Sequence, residues 1–135
     1  MPIEYQIDPE RRIVQARAHG MLRVEELWDY QQQVWSAGRL AGFDELMDMS
    51  EVEQIESPTG DRVKALAELA AQSDAAGPAT RFAIIAPTPL AFGLGRMFQA
   101  YRSEAAGSTR EVGVFRTRAG ALEFLDRSAP AETDS

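Results

Sequence analysis

The segment Arg81-Phe82-Ala83-Ile84-Ile85-Ala86 is almost continuously apolar. A run of this length, without the alternation of a half-exposed strand, is typical of a strand that is covered on both faces. Such strands occur in parallel sheets that have helices packed on each side. The segment therefore predicts an α/β protein with this strand at the centre of its sheet.

Apolar spacing on either side of this segment predicts the other elements. Ile3, Tyr5 and Ile7 alternate with polar residues and are followed by a turn at 8–11, which predicts an N-terminal hairpin. The remaining strands are predicted at about residues 12–19, 43–49 and 111–115. The helices are predicted at about residues 24–37, 57–70, 90–101 and 119–126. The predicted order is therefore β-β-α-β-α-β-α-β-α.

Strand-helix-strand repeats require parallel pairing with right-handed crossovers, and the hairpin adds an antiparallel strand. We predict an α/β fold with about five strands in a mixed sheet with a parallel core, and four helices. The 135 residues suffice for one domain, which we assign to residues 1–127. Residues 128–135 are small and acidic, and they are predicted to form a mobile tail.

The composition argues against several classes of function. The formal net charge is -7, with 14 basic and 21 acidic side chains, which disfavours nucleic acid and favours a protein or small-molecule partner. The sequence has no cysteine, one histidine and no apolar run of the roughly 20 residues that a membrane span needs. We therefore expect no metal, no cofactor, no transmembrane segment and a cytoplasmic location.

The segment Leu46-Met47-Asp48-Met49-Ser50 places polar groups at the carboxyl end of a predicted strand. In an open α/β sheet, ligands bind at this end, where the turns at Thr88 and Arg116 are also expected. Asp48, Ser50, Thr88 and Arg116 are therefore predicted to contact a small polar ligand or a partner. Alternatively, Asp48 accepts hydrogen bonds from loop N–H groups and Ser50 caps a turn.

The segment Gly93-Leu94-Gly95 resembles part of a phosphate-binding loop, but Phe98 takes the position of the third glycine. The apolar spacing from Leu90 to Tyr101 also runs through both glycines, which places them inside a helix. We predict that they allow close packing against a strand or another helix, and that no nucleotide is bound.

Four stretches carry a family resemblance: the hairpin, the segment 46–50, the segment 92–97 (Phe-Gly-Leu-Gly-Arg-Met) and the closing segment from Val114 to Leu125. Together they resemble the SpoIIAA-like proteins of the STAS-like superfamily over nearly the whole chain. The resemblance extends more loosely to lipid-transfer domains of the CRAL-TRIO type. It implies a bacterial binding or regulatory module rather than an enzyme.

The resemblance also implies a regulatory site. In anti-sigma-factor antagonists, the third strand leads into an Asp-Ser-Ser-Gly turn whose second serine is phosphorylated. The corresponding segment here is Glu56-Ser57-Pro58-Thr59-Gly60, which aligns either Pro58 or Thr59 with that serine. Thr59 and Ser57 are the predicted phosphate acceptors, at a helix start that favours negative charge. The alternative is that Ser57 only caps this helix and Pro58 begins it.

Large apolar side chains are concentrated on the first and third predicted helices. Core packing accounts for most of them. A relative of the lipid-transfer domains would instead use them to line an apolar cavity, here predicted from Trp28, Phe92, Met97, Phe98 and Tyr101. The same helical faces are alternatively predicted to form a homodimer interface.

The sequence thus predicts a non-enzymatic module that recognises a protein partner through the loop 49–59 and the following helix. Two alternatives remain open. One is a carrier of a small apolar ligand or lipid. The other is an enzyme that uses Asp48, His19 and Arg116 in a polar cleft at the carboxyl ends of the strands.

Overall fold

The computed structural model describes residues 3–35, 40–56, 59–72, 79–105 and 109–126. The strands are β1 (Ile3–Asp8), β2 (Ile13–Leu22), β3 (Asp44–Ile55), β4 (Thr80–Ile85) and β5 (Arg110–Phe115). The helices are α1 (Val24–Tyr30), α2 (Gly60–Gln72), α3 (Pro89–Glu104) and α4 (Arg118–Leu125). The predicted element order and fold class are confirmed. The predicted tail, residues 128–135, lies outside the described residues.

The five strands form one sheet in the order β1-β2-β3-β4-β5. The β1–β2 pair is antiparallel, and the other neighbours are parallel. The middle strand is β3, so the prediction that residues 81–86 form the centre of the sheet is wrong by one strand. The apolar run of β4 reports its burial between two layers of helices. It carries no information about which edge of the sheet receives the N-terminal hairpin.

Helices cover the two faces of the sheet unequally. On the first face, α1, α2 and α3 pack on a core that includes Val14, Met47 and Ile84. On the second face, α4 packs on β3, β4 and β5 through Ala121 and Leu125. On the second face of the sheet, β1 and β2 present charged side chains, so this part of the face is polar.

Strand β3 ends six residues later than predicted, at Ile55 instead of Met49. It pairs with β4 only from Glu45 to Asp48, whereas its pairing with β2 continues to Ile55. Two register shifts interrupt the β2–β3 ladder, and Gly20 lies beside the second of them with a φ of 71°. These bulges break the two-residue alternation that identifies a strand in a sequence. The segments His19–Leu22 and Glu51–Ile55 thus form a two-stranded projection, which we call the β2–β3 arm.

The start of α2 and the end of α1 both differ from the prediction. Helix α2 begins at Gly60, and the Thr59 hydroxyl accepts a hydrogen bond from the Arg62 N–H at 3.2 Å. Thr59 therefore caps α2, whereas Ser57 and Pro58, where the sequence predicted the cap and the first helical residue, lie outside the described part. Helix α1 was predicted to continue to residue 37, but after Tyr30 the chain winds as a π-helix over Gln31–Trp35. Residues 36–39 lie outside the described part.

Candidate functional site

Asp48 lies opposite Ile85, the last residue of β4. Its Oδ1 accepts hydrogen bonds from the backbone N–H and the hydroxyl of Ser50, at 2.8 and 2.5 Å. Its Oδ2 lies 3.3 Å from Nη1 of Arg118. Ser50 lies in the first bulge of the β2–β3 ladder, where its N–H has no ladder position. Asp48 therefore satisfies a bulge donor, which is the local structural role that the sequence left as an alternative.

The predicted pocket of Asp48, Ser50, Thr88 and Arg116 is not assembled. Thr88 caps α3 by accepting a hydrogen bond from the Ala91 N–H at 3.1 Å. The Arg116 guanidinium stacks on the ring of Phe92, 4.2 Å from its centroid. Because Phe115 packs with α4 on the second face, the next residue of the extended chain points to the first face and away from Asp48. Arg118, two residues further on, lies beside Asp48 instead.

A polar groove of about 470 Å³ lies on the second face, beside Asp48 and Arg118. Nη2 of Arg17 lies 3.1 Å from Oε1 of Glu4, and its Nε lies 3.9 Å from Oε1 of Glu51. Nε2 of His19 lies 3.6 Å from Oε2 of Glu4. The hydrogen bond from Arg17 lowers the pKa of Glu4, which makes this carboxylate a weaker base. The side chains of these residues are largely exposed to solvent. The groove is therefore a network of surface ion pairs.

The residues of the enzyme alternative point to separate partners. His19 faces Glu4, Asp48 faces Arg118, and Arg116 contacts Phe92. General acid–base catalysis needs such groups within hydrogen-bonding distance of one reacting atom. Within the described part of the chain, no group of three or more His, Asp or Glu residues could hold a metal ion.

Thr59, one of the two predicted phosphate acceptors, is exposed at the first turn of α2. Its hydroxyl is engaged as the helix cap. Arg62, one turn further on, forms an ion pair with Glu25 of α1. Ser57, the other predicted acceptor, lies outside the described residues. The site therefore has an accessible hydroxyl at the positive end of a helix of 13 residues.

The five residues predicted to line an apolar cavity are dispersed. Only Phe98 lines the interior cavity between the first-face helices and the sheet. Trp28 lies in a surface groove between α1 and α2, and the Met97 side chain is 39% exposed on α3. Phe92 is held beneath Arg116, and the Tyr101 hydroxyl lies beside Gly60 at the start of α2. The three-and-four spacing of α3 thus marks a broad stripe, of which only a part points inward.

The interior cavity has a volume of about 60 Å³. It is lined by residues of α1, the π-helix, α2, α3, β3 and β4: Val24, Leu27, Tyr30, Gln31, Glu45, Met47, Met49, Val63, Leu66, Phe82, Ile84, Leu94, Gly95 and Phe98. An engineered protein cavity that binds benzene has about 150 Å³. A complete acyl chain therefore does not fit in this cavity unless the helices move apart.

Glu45 is a buried carboxylate in the wall of this cavity, only 3% exposed. Its Oε2 accepts a hydrogen bond from the Tyr30 hydroxyl at 2.8 Å, and Tyr30 in turn accepts one from Nε1 of Trp35 at 3.3 Å. Nη1 of Arg110 lies 3.9 Å from Oε1. Burial raises the pKa of Glu45, although the charge of Arg110 opposes this effect. Burial likewise raises the pKa of Tyr30.

The Glu45 cluster was not predicted from the sequence, although one signal was present. Glu45 lies two residues before Met47 and four before Met49 on β3, so the three side chains point to the same face of the sheet. The two methionines belong to the core of the first face. A carboxylate at a core position of a strand is costly unless it is paired, and so it marks a buried polar cluster. The partners Tyr30, Trp35 and Arg110 carry no comparable signal.

The chain matches no protein-family model and no curated protein sequence. Among solved structures, it is similar to an uncharacterised protein of the DUF3478 family from Shewanella loihica PV-4, which has a SpoIIAA-like fold. The match has a TM-score of 0.57 and covers 91% of this chain and 93% of the other. This chain has a SpoIIAA-like fold. At 16% sequence identity, the similarity defines the SpoIIAA-like fold and leaves the function open.

In the described residues, every helix is too short or too polar to cross a membrane.

Proposed function

We propose that this SpoIIAA-like protein is a non-enzymatic binding module that recognises a protein partner through the β2–β3 arm and the start of α2. The extension of β3 carries this proposal, because it projects Glu51–Ile55 beyond the end of β4. The arm presents an ordered surface of backbone and side chains, as recognition requires. It includes residues 51–55 of the loop 49–59 that was predicted from the sequence to recognise a partner.

The charge of this surface indicates the chemistry of the partner. Glu51, Glu53, Glu56 and Asp61 are all exposed on the arm or next to it. Arg23 offsets part of this charge, since its Nε lies 3.3 Å from Glu56. These four residues contribute to the net charge of the chain, which is -7. Charge complementarity therefore favours a partner with a basic surface.

A photo-crosslinking amino acid at Gln54 tests this proposal in a lysate of the source organism. Gln54 is exposed on the arm, and replacing it changes no charge. Gln33, exposed in the π-helix, is the matched control position. We expect a discrete crosslinked protein from position 54 alone, and we expect Glu53→Lys to abolish it while Glu123→Lys on α4 leaves it unchanged. Equal crosslinking from both positions, or insensitivity to Glu53→Lys, would reject recognition by the arm.

Phosphorylation of Thr59 is a proposed regulator of this recognition. A phosphate there would gain from the helix dipole of α2, but Glu56 and Asp61 would repel it. The added negative charge would favour a basic partner, whereas modification of the Thr59 hydroxyl would disturb the cap of α2. We expect Thr59→Glu to change the crosslinking yield from position 54 and Thr59→Ser to preserve it. An unchanged yield with Thr59→Glu would rule out the switch.

The homodimer predicted from the sequence is also a proposal. Helix α3 exposes Leu90 and Met97, whose side chains are 57% and 39% accessible. Native mass spectrometry of the wild-type protein and of Leu90→Ser tests it, since a dimer that uses this helix should be lost in the variant. The carrier and enzyme alternatives have less support, because the cavity is small and the catalytic candidates are dispersed.

A further inference from the structure

The walls of the interior cavity are almost entirely apolar, and Glu45 is the one ionisable carboxylate among its lining residues. The cavity has about 60 Å³ and opens to solvent. A single water molecule needs roughly 10–15 Å³ of such space. The cavity therefore has room for a few non-hydrogen atoms of a ligand, and any longer chain would extend through its opening to solvent.

Glu45 retains capacity to bind a ligand. The Tyr30 hydroxyl occupies one position on Oε2. The distance of 3.9 Å from Oε1 to Nη1 of Arg110 is that of an ion pair and is too long for a hydrogen bond. Each carboxylate oxygen has two lone pairs, so this carboxylate retains acceptor capacity beyond the Tyr30 hydroxyl and the Trp35 indole, which also acts on it.

The π-helix holds the polar side of the cluster in place. Residues 30 and 35 would point about 140° apart around an α-helix, which turns by about 100° per residue. Tyr30 is the last residue of α1 and Trp35 is the last residue of the π-helix, whose backbone hydrogen bonds join residues five apart, and here Trp35 donates to Tyr30 at 3.3 Å. The Trp35 ring also lies 4.5 Å from the Arg110 guanidinium. This rare helical geometry, which is frequent at functional sites, thus orients the groups around Glu45.

The charge of the cluster limits the ligand. Glu45 is paired with Arg110 and is also close to Arg102, so the cluster offers no net charge for an ionic ligand, and a charged group of either sign would lose its hydration between the apolar walls. A hydroxyl group is uncharged and can donate to an ionised Glu45 or accept from a protonated one. It therefore suits either protonation state of this buried carboxyl.

We infer that the interior cavity binds a small aliphatic alcohol, with its hydroxyl on Glu45 and its chain between α1, α2 and α3. This site is separate from the β2–β3 arm. The ligand class differs from the lipid of the carrier alternative, because the volume admits only a short chain.

An NMR titration with two isomers tests the inference. The probe is 1-butanol, and the control is methyl propyl ether, which has the same atoms but no hydroxyl hydrogen. We expect saturable shifts of the amide signals of Leu94 and Gly95 with 1-butanol, and roughly tenfold weaker binding of the ether, as for loss of one hydrogen bond to a charged group. Equal affinities, or no saturable shift with either probe, would overturn the site.

Two variants locate the binding. Val63→Leu adds a methylene to the wall and should abolish saturable binding while the protein stays folded. Glu45→Gln preserves the shape of the side chain and should weaken 1-butanol binding several-fold, whereas Glu111→Gln, at an exposed position of β5, should leave it unchanged. Undiminished binding by the folded Val63→Leu variant would refute the location, even if Glu45→Gln does not fold.

Discussion

Two glycines of α3 make a sharp prediction about packing. A Cβ atom added at Gly93 would meet no atom within 4 Å, whereas one added at Gly95 would lie 2.9 Å from Cγ1 of Val114. Both residues are inside α3, so the helix gains equally from alanine at either position. The two substitutions Gly93→Ala and Gly95→Ala therefore differ only in what the new methyl group contacts.

The expected energies follow from these contacts. Replacing an interior helical glycine by alanine stabilises a helix by about 1 kcal/mol. Gly93→Ala should therefore raise the free energy of unfolding by about 1 kcal/mol. At Gly95 the same gain is opposed by an overpacking cost of roughly 1–3 kcal/mol, because the χ1 angle of Val114 is stiff. Gly95→Ala should thus lower the free energy of unfolding by about 1 kcal/mol.

Urea denaturation and thermal unfolding measure this difference. About 1 kcal/mol should shift Tm by roughly 3–5 °C for a domain of this size, upward for Gly93→Ala and downward for Gly95→Ala. In a Val114→Ala background the two methyl groups of Val114 are absent, so Gly95→Ala should no longer destabilise. If Gly95→Ala stabilises the wild-type protein as much as Gly93→Ala does, then α3 does not approach β5 as closely as described.

Three further predictions concern single side chains. Burial raises the pKa of Glu45 above its ordinary value of 4.5, so the folded protein binds a proton at Glu45 more tightly than the unfolded chain does. The contribution of Glu45 to the free energy of unfolding therefore declines as pH rises above 4.5. Urea titrations at several pH values measure the free energies of unfolding of the wild type and of Glu45→Gln. The wild-type value minus the variant value should fall as pH rises above 4.5, and a constant difference would contradict the raised pKa. Thr59→Ala should cost about 1 kcal/mol through loss of the α2 cap, and Thr59→Asp should preserve most of it, as followed by thermal unfolding. Arg118→Ala should change the free energy of unfolding by less than about 1 kcal/mol, because this side chain is 54% exposed in its ion pair with Asp48. A larger loss, measured by urea denaturation, would show that this ion pair stabilises the fold more than surface pairs usually do.

The fold was largely predictable because its signals are local. The apolar run of β4 and the alternation in β1 report how each segment meets the core, whichever neighbours it has. The role of Gly95 was also predictable as close packing, since the apolar spacing of α3 continues through it. The length of β3 was not, because its bulges opposite β2 break the alternation on which strand prediction depends.

The candidate sites were less predictable, because their members come from separate parts of the chain. Asp48 and Arg118 are 70 residues apart in sequence, and the choice of Arg118 over Arg116 depends on which face of the sheet each residue meets. Thr59 was named as a phosphate acceptor, yet its role as the cap of α2 is visible only once the helix start is known.

The sequence by itself determined the order of the elements, the parallel core and the absence of cysteine chemistry, because each depends on composition or on the spacing of nearby residues. Only the tertiary structure decided that Glu45 is buried against Tyr30, Trp35 and Arg110. A π-helix, β3 and β5 must be in place before these four side chains meet, and the low polarity of the interior then raises the pKa of the carboxyl. The acidic arm likewise arises from pairing between β2 and β3 that no single segment encodes.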